Sequence, residues 1–284
     1  MPSEQATDLA VVRRRLTELG VHPQKRFGQS FLVHRGIVEE IRDRICTLSP
    51  EIVVEIGPGL GALTEAVVDD VSRMIAIEVD PRLGESLRER LRERSQVDVR
   101  IADILTIDLS AEFDGRRVTV LGSLPYRITS PILKHLIDHR GVLERACLIT
   151  QWEVAQKIAA SPGKDGSALG VLVRAYADVS SPRRIRRGAF FPVPDVDSAY
   201  WEMSFLDRPR FAADEDAFFR VVRTLYRHRR KMVRRALQEI VAKETIEGVL
   251  ASAQVVGTQR GEQLSFADLD RLAAALRKVV ETNL

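Results

Sequence analysis

Between residues 52 and 150 the chain changes character in strict rotation. Strand-like runs at Ile52–Ile56, a short apolar and β-branched stretch, and at Met74–Val79, Val97–Ile101, Val118–Leu121 and Ala146–Thr150 alternate with stretches of helical spacing at 62–70, 82–94 and 130–138. Near-continuous apolar runs of this length suit strands covered on both faces. Strands joined through helices imply a parallel sheet with helical layers. The pattern predicts an α/β fold whose chemistry lies at the carboxyl ends of the strands.

The flanks differ. Residues 7–19 have helical spacing with Asp8 as N-cap, His22-Pro23 breaks it, and helix returns at 35–48. After residue 152, helical spacing covers 153–160 and 168–178. Pro182–Arg187 is basic, and Phe190–Pro194 reads as a stiff extended loop. Tyr200–Leu206 alternates enough for a last strand. Beyond Asp207-Arg208-Pro209 everything reads as helix, and Ser265 with Asp268 marks the start of the final one. The expected domains are therefore 1–207, with 1–24 as a helical extension, and 208–284.

The net charge of +3 is small, but between Arg220 and Arg235 there are eight basic residues and no acid. Such a run can neutralise a phosphate backbone, although a solvated helix face has the same composition. Cys46 and Cys147 lie far apart in apolar contexts. They read as small core residues in a reducing compartment. No apolar run approaches a membrane span or a signal peptide, so a cytoplasmic location is expected. His135 and His139 stand four apart with no acid or cysteine cluster beside them, so no metal site is expected.

Four segments carry chemistry. Gly57-Pro58-Gly59-Leu60-Gly61 follows the first strand, where glycines let the backbone turn sharply and approach a ligand. With Ala62 it also satisfies the dinucleotide pattern. Glu78 ends the second strand about 20 residues on, where an acid accepts from ribose hydroxyls. Asp103 follows the third strand and could accept from an adenine amine, a group a dehydrogenase site does not call for. Ser123-Leu124-Pro125-Tyr126 closes the fourth strand with a polar acceptor, a rigid proline and an aromatic face. Those are what a flipped base needs, although Pro and Ser also favour a plain turn.

Taken in order, these segments resemble the ribosomal RNA adenine dimethyltransferases of the KsgA type. Lys25–Leu32, Gln151–Ala155, Phe190–Ala199, Arg229-Arg230-Lys231 and Arg260–Ser265 extend the resemblance over nearly the whole chain. It implies a class I methyltransferase fold with a seven-stranded Rossmann-like sheet and a small all-helical C-terminal domain that binds rRNA. It implies S-adenosylmethionine as cofactor, bordered by Gln29, Ser30, Leu32, Gly57, Gly59, Glu78, Asp103 and Ser123. Ser123, Leu124, Pro125 and Tyr126 would hold the target base, with Tyr126 and Phe190 stacking on it. Arg223, Arg227, Arg229, Arg230, Lys231 and Arg234 would meet RNA. The implied partner is small-subunit (16S) rRNA in a pre-ribosomal particle, met by a monomer. The implied product is N6-dimethylated adenine, at two adjacent positions.

Three positions depart from the family pattern. Ser30 and Ser123 stand where the family usually has Asn, and Trp152 where it has Lys. A serine hydroxyl reaches less far than an asparagine amide, so Ser123 bears directly on turnover. Three other functions fit parts of the sequence: an NAD-dependent dehydrogenase, a large-subunit methyltransferase of the macrolide-resistance type, and a non-catalytic assembly factor. The Arg229–Lys231 and Arg260–Ser265 segments favour the small-subunit type.

Overall fold

The structure, a computed structural model, describes residues 6–23, 29–113 and 115–282. The chain forms two compact units, Met1–Ala155 with Ser180–Phe205, and Gln156–Val179 with Leu206–Leu284.

In the first unit α1 (Leu9–Glu18) begins at Asp8, whose carboxylate accepts from Ala10 N at 2.8 Å. Strand β1 (Phe31–Leu32) and helix α2 (Arg35–Leu48) follow, the helix burying Val38, Ile41 and Ile45. The alternating region then runs β2 (Ile52–Ile56), α3 (Ala62–Val67), β3 (Arg73–Glu78), α4 (Pro81–Arg90), β4 (Val97–Ile101), α5 (Leu109–Phe113), β5 (Val118–Ser123), α6 (Thr129–Asp138), β6 (Leu143–Gln151) and α7 (Trp152–Ala159). Helix α8 (Ala168–Tyr176) and strands β7 (Ala177–Val179), β8 (Arg183–Ile185), β9 (Phe190–Phe191) and β10 (Ser198–Phe205) complete this part of the chain.

Seven strands of the first unit share one sheet in the order β4-β3-β2-β5-β6-β10, with β8 alongside β10. The first five are parallel; β10 runs antiparallel to β6 and places Ser198 opposite Gln151. Strand β2 is buried along its whole length, as its run of apolar residues around the single acid Glu55 suits. The chain leaves β2 for β3 on one side and returns to β5 on the other. The switch point therefore lies between the carboxyl ends of β2 and β5.

The predicted strands are all present: β2 and β4 have the predicted bounds, β5 and β6 extend beyond theirs, and β3 and β10 are shifted towards the amino terminus. Strand β6 starts at Leu143, because exposed Glu144 interrupts the apolar run that marks it in sequence. Phe190 and Phe191 are not loop: they pair with Leu32 and Phe31 as β9 and β1. Cys147 is buried as expected, but Cys46 is exposed. It sits on the solvent side of α2 while its neighbour Ile45 takes the buried place.

The second unit is helical: α8, α9 (Glu215–Arg227), α10 (Val233–Leu237), α11 (Ile246–Ala253) and α12 (Phe266–Thr282). Asp214 caps α9 through Ala217 N, and Ser265 and Asp268 exchange hydrogen bonds at the start of α12, as read from sequence. The helical unit also takes in Gln156–Val179, which the boundary at 207 had left with the sheet. The reason is an aromatic cluster. Tyr176 at the end of α8 is buried against Phe211 and Phe219, and Phe211 stacks on Phe218 at 4.2 Å between centroids. Among the described residues no helix is long and apolar enough to cross a membrane.

Candidate active site

A cleft of about 200 Å³ opens at the carboxyl ends of β2, β3, β4 and β5. Its walls bring together Gln29, Ser30, Leu32, Gly57, Gly59, Glu78, Asp103, Ser123, Leu124, Pro125, Tyr126 and Phe190, every residue expected of the cofactor and base sites. Lys25–Gly28 of the Lys25–Leu32 segment lie outside the described residues.

The floor is the turn from β2 into α3. Gly57 and Gly59 have φ of +68° and +59°, which side chains disfavour. A Cβ on Gly57 would meet no heavy atom closer than Ser123 O at 4.0 Å, so the floor there is open. Further along, a Cβ on Gly122 would lie 2.8 Å from the Ile56 carbonyl oxygen. That glycine lets β5 press against β2 just before Ser123.

Glu78 is buried, and its carboxylate is held at both oxygens: Gly59 N donates to Oε2 at 2.9 Å and Asp80 N to Oε1 at 3.0 Å. Burial raises its pKa, against the pull of those N–H donors. Asp103 is exposed on the far wall, with Oδ1 accepting from Leu105 N at 3.0 Å. Glu55 lies beneath, fully buried. Burial pushes its pKa up to about 8, while a 2.6 Å bond from Thr64 Oγ1 opposes the rise.

On the opposite wall Leu124 N donates to Ile149 O at 2.9 Å, which fixes the peptide after Ser123. Pro125 O accepts from Ile128 N and Thr129 Oγ1, closing the turn into α6. The Tyr126 hydroxyl lies 2.8 Å from Ser198 Oγ on β10, and burial raises its pKa. Phe190 is buried and belongs to the core under α2 as well as to the cleft wall.

Contributors not foreseen from sequence include Ser198, which anchors Tyr126, and Ala6, Phe31 and Leu60, which line the cleft with several further apolar residues. Helix α1 packs Val12 and Leu16 against Leu60 and Leu83, so the amino-terminal segment belongs to the site instead of extending away from it. Its hydrophobic stripe was visible; what that stripe covered was not.

In the second unit the basic run is not one helix. Helix α9 ends at Arg227, because Val233 N bonds Gln259 O and Met232 bridges Arg260, pulling the chain out of helical register. Acids from elsewhere reach it: Arg227 and His228 pair with Glu239, Arg234 with Glu247, and Arg229 approaches Glu262 at 3.6 Å. Among the described residues no salt bridge closes on Arg223, Arg230 or Lys231, all exposed. No group of three or more His, Cys, Asp or Glu side chains among the described residues is placed to hold a metal.

Residues 21–278 match the family described as ribosomal RNA adenine dimethylase. The chain belongs to that family. A ribosomal RNA small subunit methyltransferase A from Geobacter metallireducens is 37% identical over 90% of this chain and 98% of its own length. One from Streptococcus pyogenes serotype M3 is 36% identical over 96% and 98%. The structure of the 23S rRNA methyltransferase ErmE superposes with a TM-score of 0.66 at 27% identity, covering 87% of this chain and 99% of that one. A dimethyladenosine transferase from Plasmodium falciparum superposes at 0.70 with 22% identity, covering 86% and 95%, and supports the fold. The fold is that of a class I methyltransferase, and the family uses S-adenosylmethionine as methyl donor. The open floor at Gly57 and the buried, N–H-anchored carboxylate of Glu78 fit that cofactor, whose nucleoside carries two vicinal hydroxyls.

Proposed function

We propose that this chain transfers methyl groups from S-adenosylmethionine to the exocyclic N6 of adenines in small-subunit rRNA, dimethylating two neighbouring adenines of a hairpin. The observation that carries this reading is the convergence of Gly57, Glu78, Asp103 and Ser123 on one cleft, with Tyr126 on its wall.

Glu78 would hold the ribose: each of its oxygens accepts one backbone N–H and keeps a lone pair for a hydroxyl. Asp103, with Oδ1 occupied, would offer Oδ2 to the adenine amine of the cofactor. Gln29, Ser30, Leu32, Gly57 and Gly59 would enclose the remainder. The sulfonium supplies an electrophilic methyl group when the cofactor is bound.

The harder task is to make the target nitrogen nucleophilic, because its lone pair is delocalised into the purine. The Ser123 hydroxyl and the Leu124 carbonyl would accept its two hydrogens, favouring a pyramidal nitrogen with a free lone pair. Pro125 adds no competing N–H. Tyr126 and Phe190 would flank the base; stacking of this kind contributes about 1–3 kcal/mol per base. The proton released after transfer goes to water, so the protein acts mainly by positioning.

Exposed Arg223, Arg230 and Lys231 would take up rRNA phosphates directly, whereas Arg227, Arg229 and Arg234 would have to exchange their carboxylate partners first. A monomer acting on a pre-ribosomal particle in the cytoplasm completes the reading. The test is mass spectrometry of adenines after incubating the purified protein with S-adenosylmethionine and either small-subunit particles or large-subunit RNA. Dimethyladenosine confined to the small-subunit RNA is expected. Modification of the large-subunit RNA alone, or of neither, overturns the reading.

A further inference from the structure

Trp152 does not line the cleft, but it is tied to the cleft wall through the strand pairing that holds Tyr126. It is the first residue after β6, and its N donates to Asp197 O at 3.0 Å. Gln151, just before it, is paired with Ser198, whose hydroxyl anchors Tyr126. Trp152 therefore adjoins the wall of the cleft where the target base would enter.

Arg184, on β8, lies over the indole with its guanidinium carbon 5.4 Å from the ring centroid. The Asp197 carboxylate fixes that guanidinium, accepting from Nε at 2.8 Å, and also accepts from Arg187 N at 2.9 Å. One acid thus holds both the arginine over the indole and the basic turn that follows, where Arg186 and Arg187 are exposed.

A packing role alone does not account for this pair. Trp201, the other tryptophan, shows the structural alternative: it is 1% exposed and donates to Thr150 Oγ1 at 2.9 Å. Trp152 is only half-buried, and the Arg184 side chain is 59% exposed. An immobilised indole and guanidinium beside the wall of a site for a flipped base, with cationic side chains following, match the chemistry of an unpaired base and its phosphate.

We propose that the Trp152–Arg184 pair is a stacking platform for the unpaired base next to the target adenine, with Arg186 and Arg187 on the adjoining phosphates. This rests on the reading that RNA enters at Tyr126. The platform sets the position of the strand and takes no part in methyl transfer.

Fluorescence of the intact protein tests it with a small-subunit rRNA hairpin carrying adjacent loop adenines. With Trp201 sealed in the core, the hairpin should quench the Trp152 emission and shield it from acrylamide, a result that needs no variant. Trp152→Ala should raise the KM for the hairpin about tenfold, with kcat and S-adenosylmethionine affinity unchanged. Trp152→Phe should keep most of the affinity, since any aromatic face stacks. Absence of quenching, or an unchanged KM in Trp152→Ala, overturns the platform while leaving the methylation reading intact. A wild-type protein that does not methylate the RNA at all overturns both.

Discussion

The Tyr126 hydroxyl meets Ser198 Oγ at 2.8 Å, joining the loop after β5 to the antiparallel strand β10. Without that bond the tyrosine ring is free to rotate away from the cleft, and a half-buried hydroxyl loses its partner. Ser198→Ala should cost about 1 kcal/mol of stability. It should lower kcat/KM for RNA about fivefold and leave cofactor affinity unchanged. Thermal melts, steady-state kinetics and calorimetry read the three effects separately; a loss of cofactor affinity would place Ser198 elsewhere in the site.

Glu78 gives a prediction on the cofactor alone. Glu78→Ala removes the acceptor for the ribose hydroxyls and also releases Gly59 N and Asp80 N. Charge-assisted hydrogen bonds contribute about 1.5–3 kcal/mol each, so S-adenosylmethionine should bind at least about tenfold more weakly by calorimetry. Glu78→Gln should fall between wild type and Ala, because an amide accepts at one oxygen only. Unaltered affinity in both variants would remove Glu78 from the cofactor site.

Ser123 separates chemistry from binding. Its backbone position is set by Gly122 beneath the Ile56 carbonyl and by Leu124 N on Ile149 O, neither of which depends on the hydroxyl. Ser123→Ala should therefore fold normally and bind cofactor normally. Its single-turnover methylation rate should drop about tenfold or more, the value of one hydrogen bond made to the reacting amine. Ser123→Asn, restoring the longer reach of the family pattern, should raise the rate of the second transfer to each adenine. Equal single-turnover rates for wild type and Ser123→Ala would exclude the role.

The α/β core was legible because period and composition agree there. The run Ile52–Ile56 has no polar residue except Glu55, and the glycines after it have positive φ. Gly57, Glu78, Asp103 and Ser123 were legible because a parallel sheet collects strand ends that are far apart in sequence, whereas Gln29, Ser30, Leu32 and Phe190 were implied by the family resemblance alone. What escaped depends on long-range packing. Nothing local marks Ser198 as the partner of Tyr126, 72 residues away. Helix α8 joins the helical unit because Tyr176 meets Phe211 and Phe219, and sequence spacing does not announce such a meeting. The basic run reads as a single helix because the backbone bridge that breaks it joins Met232 to Arg260, across the two helices α10 and α11.

The broken run leads to a prediction about salt. Arg230 and Lys231 are exposed without ion pairs among the described residues, while Arg234 is engaged by Glu247 at 2.8 Å. Arg230→Ala and Lys231→Ala should each reduce the slope of log affinity for rRNA against log salt by about 0.7–0.9. Arg234→Ala should change it less, because releasing Glu247 offsets part of what a phosphate contact gives. Filter binding across a salt series would show the ranking; a larger change for Arg234 would mean that its ion pair opens on binding.

Glu55 links the cleft floor to pH. Its pKa rises from 4.5 to about 8, first because burial disfavours the charged carboxylate and further because Glu78 is near, against the bond from Thr64. A carboxyl whose folded pKa lies above its unfolded value stabilises the fold below about pH 4.5. That contribution is lost as pH rises towards about 8 and changes no further above it. Glu55→Gln keeps an acceptor for Thr64 and cannot ionise. The difference between wild-type and Glu55→Gln stability should therefore shift by about 2–5 kcal/mol between pH 5 and pH 9, with the variant gaining on the wild type as pH increases. Melting temperatures of the cofactor-free proteins at several pH values measure this, since every other titrating group is common to both. Curves that stay parallel across that range would mean that Glu55 ionises at its ordinary pKa, which a carboxylate sealed beneath Gly57 with one hydroxyl donor could do only if water entered the floor of the cleft.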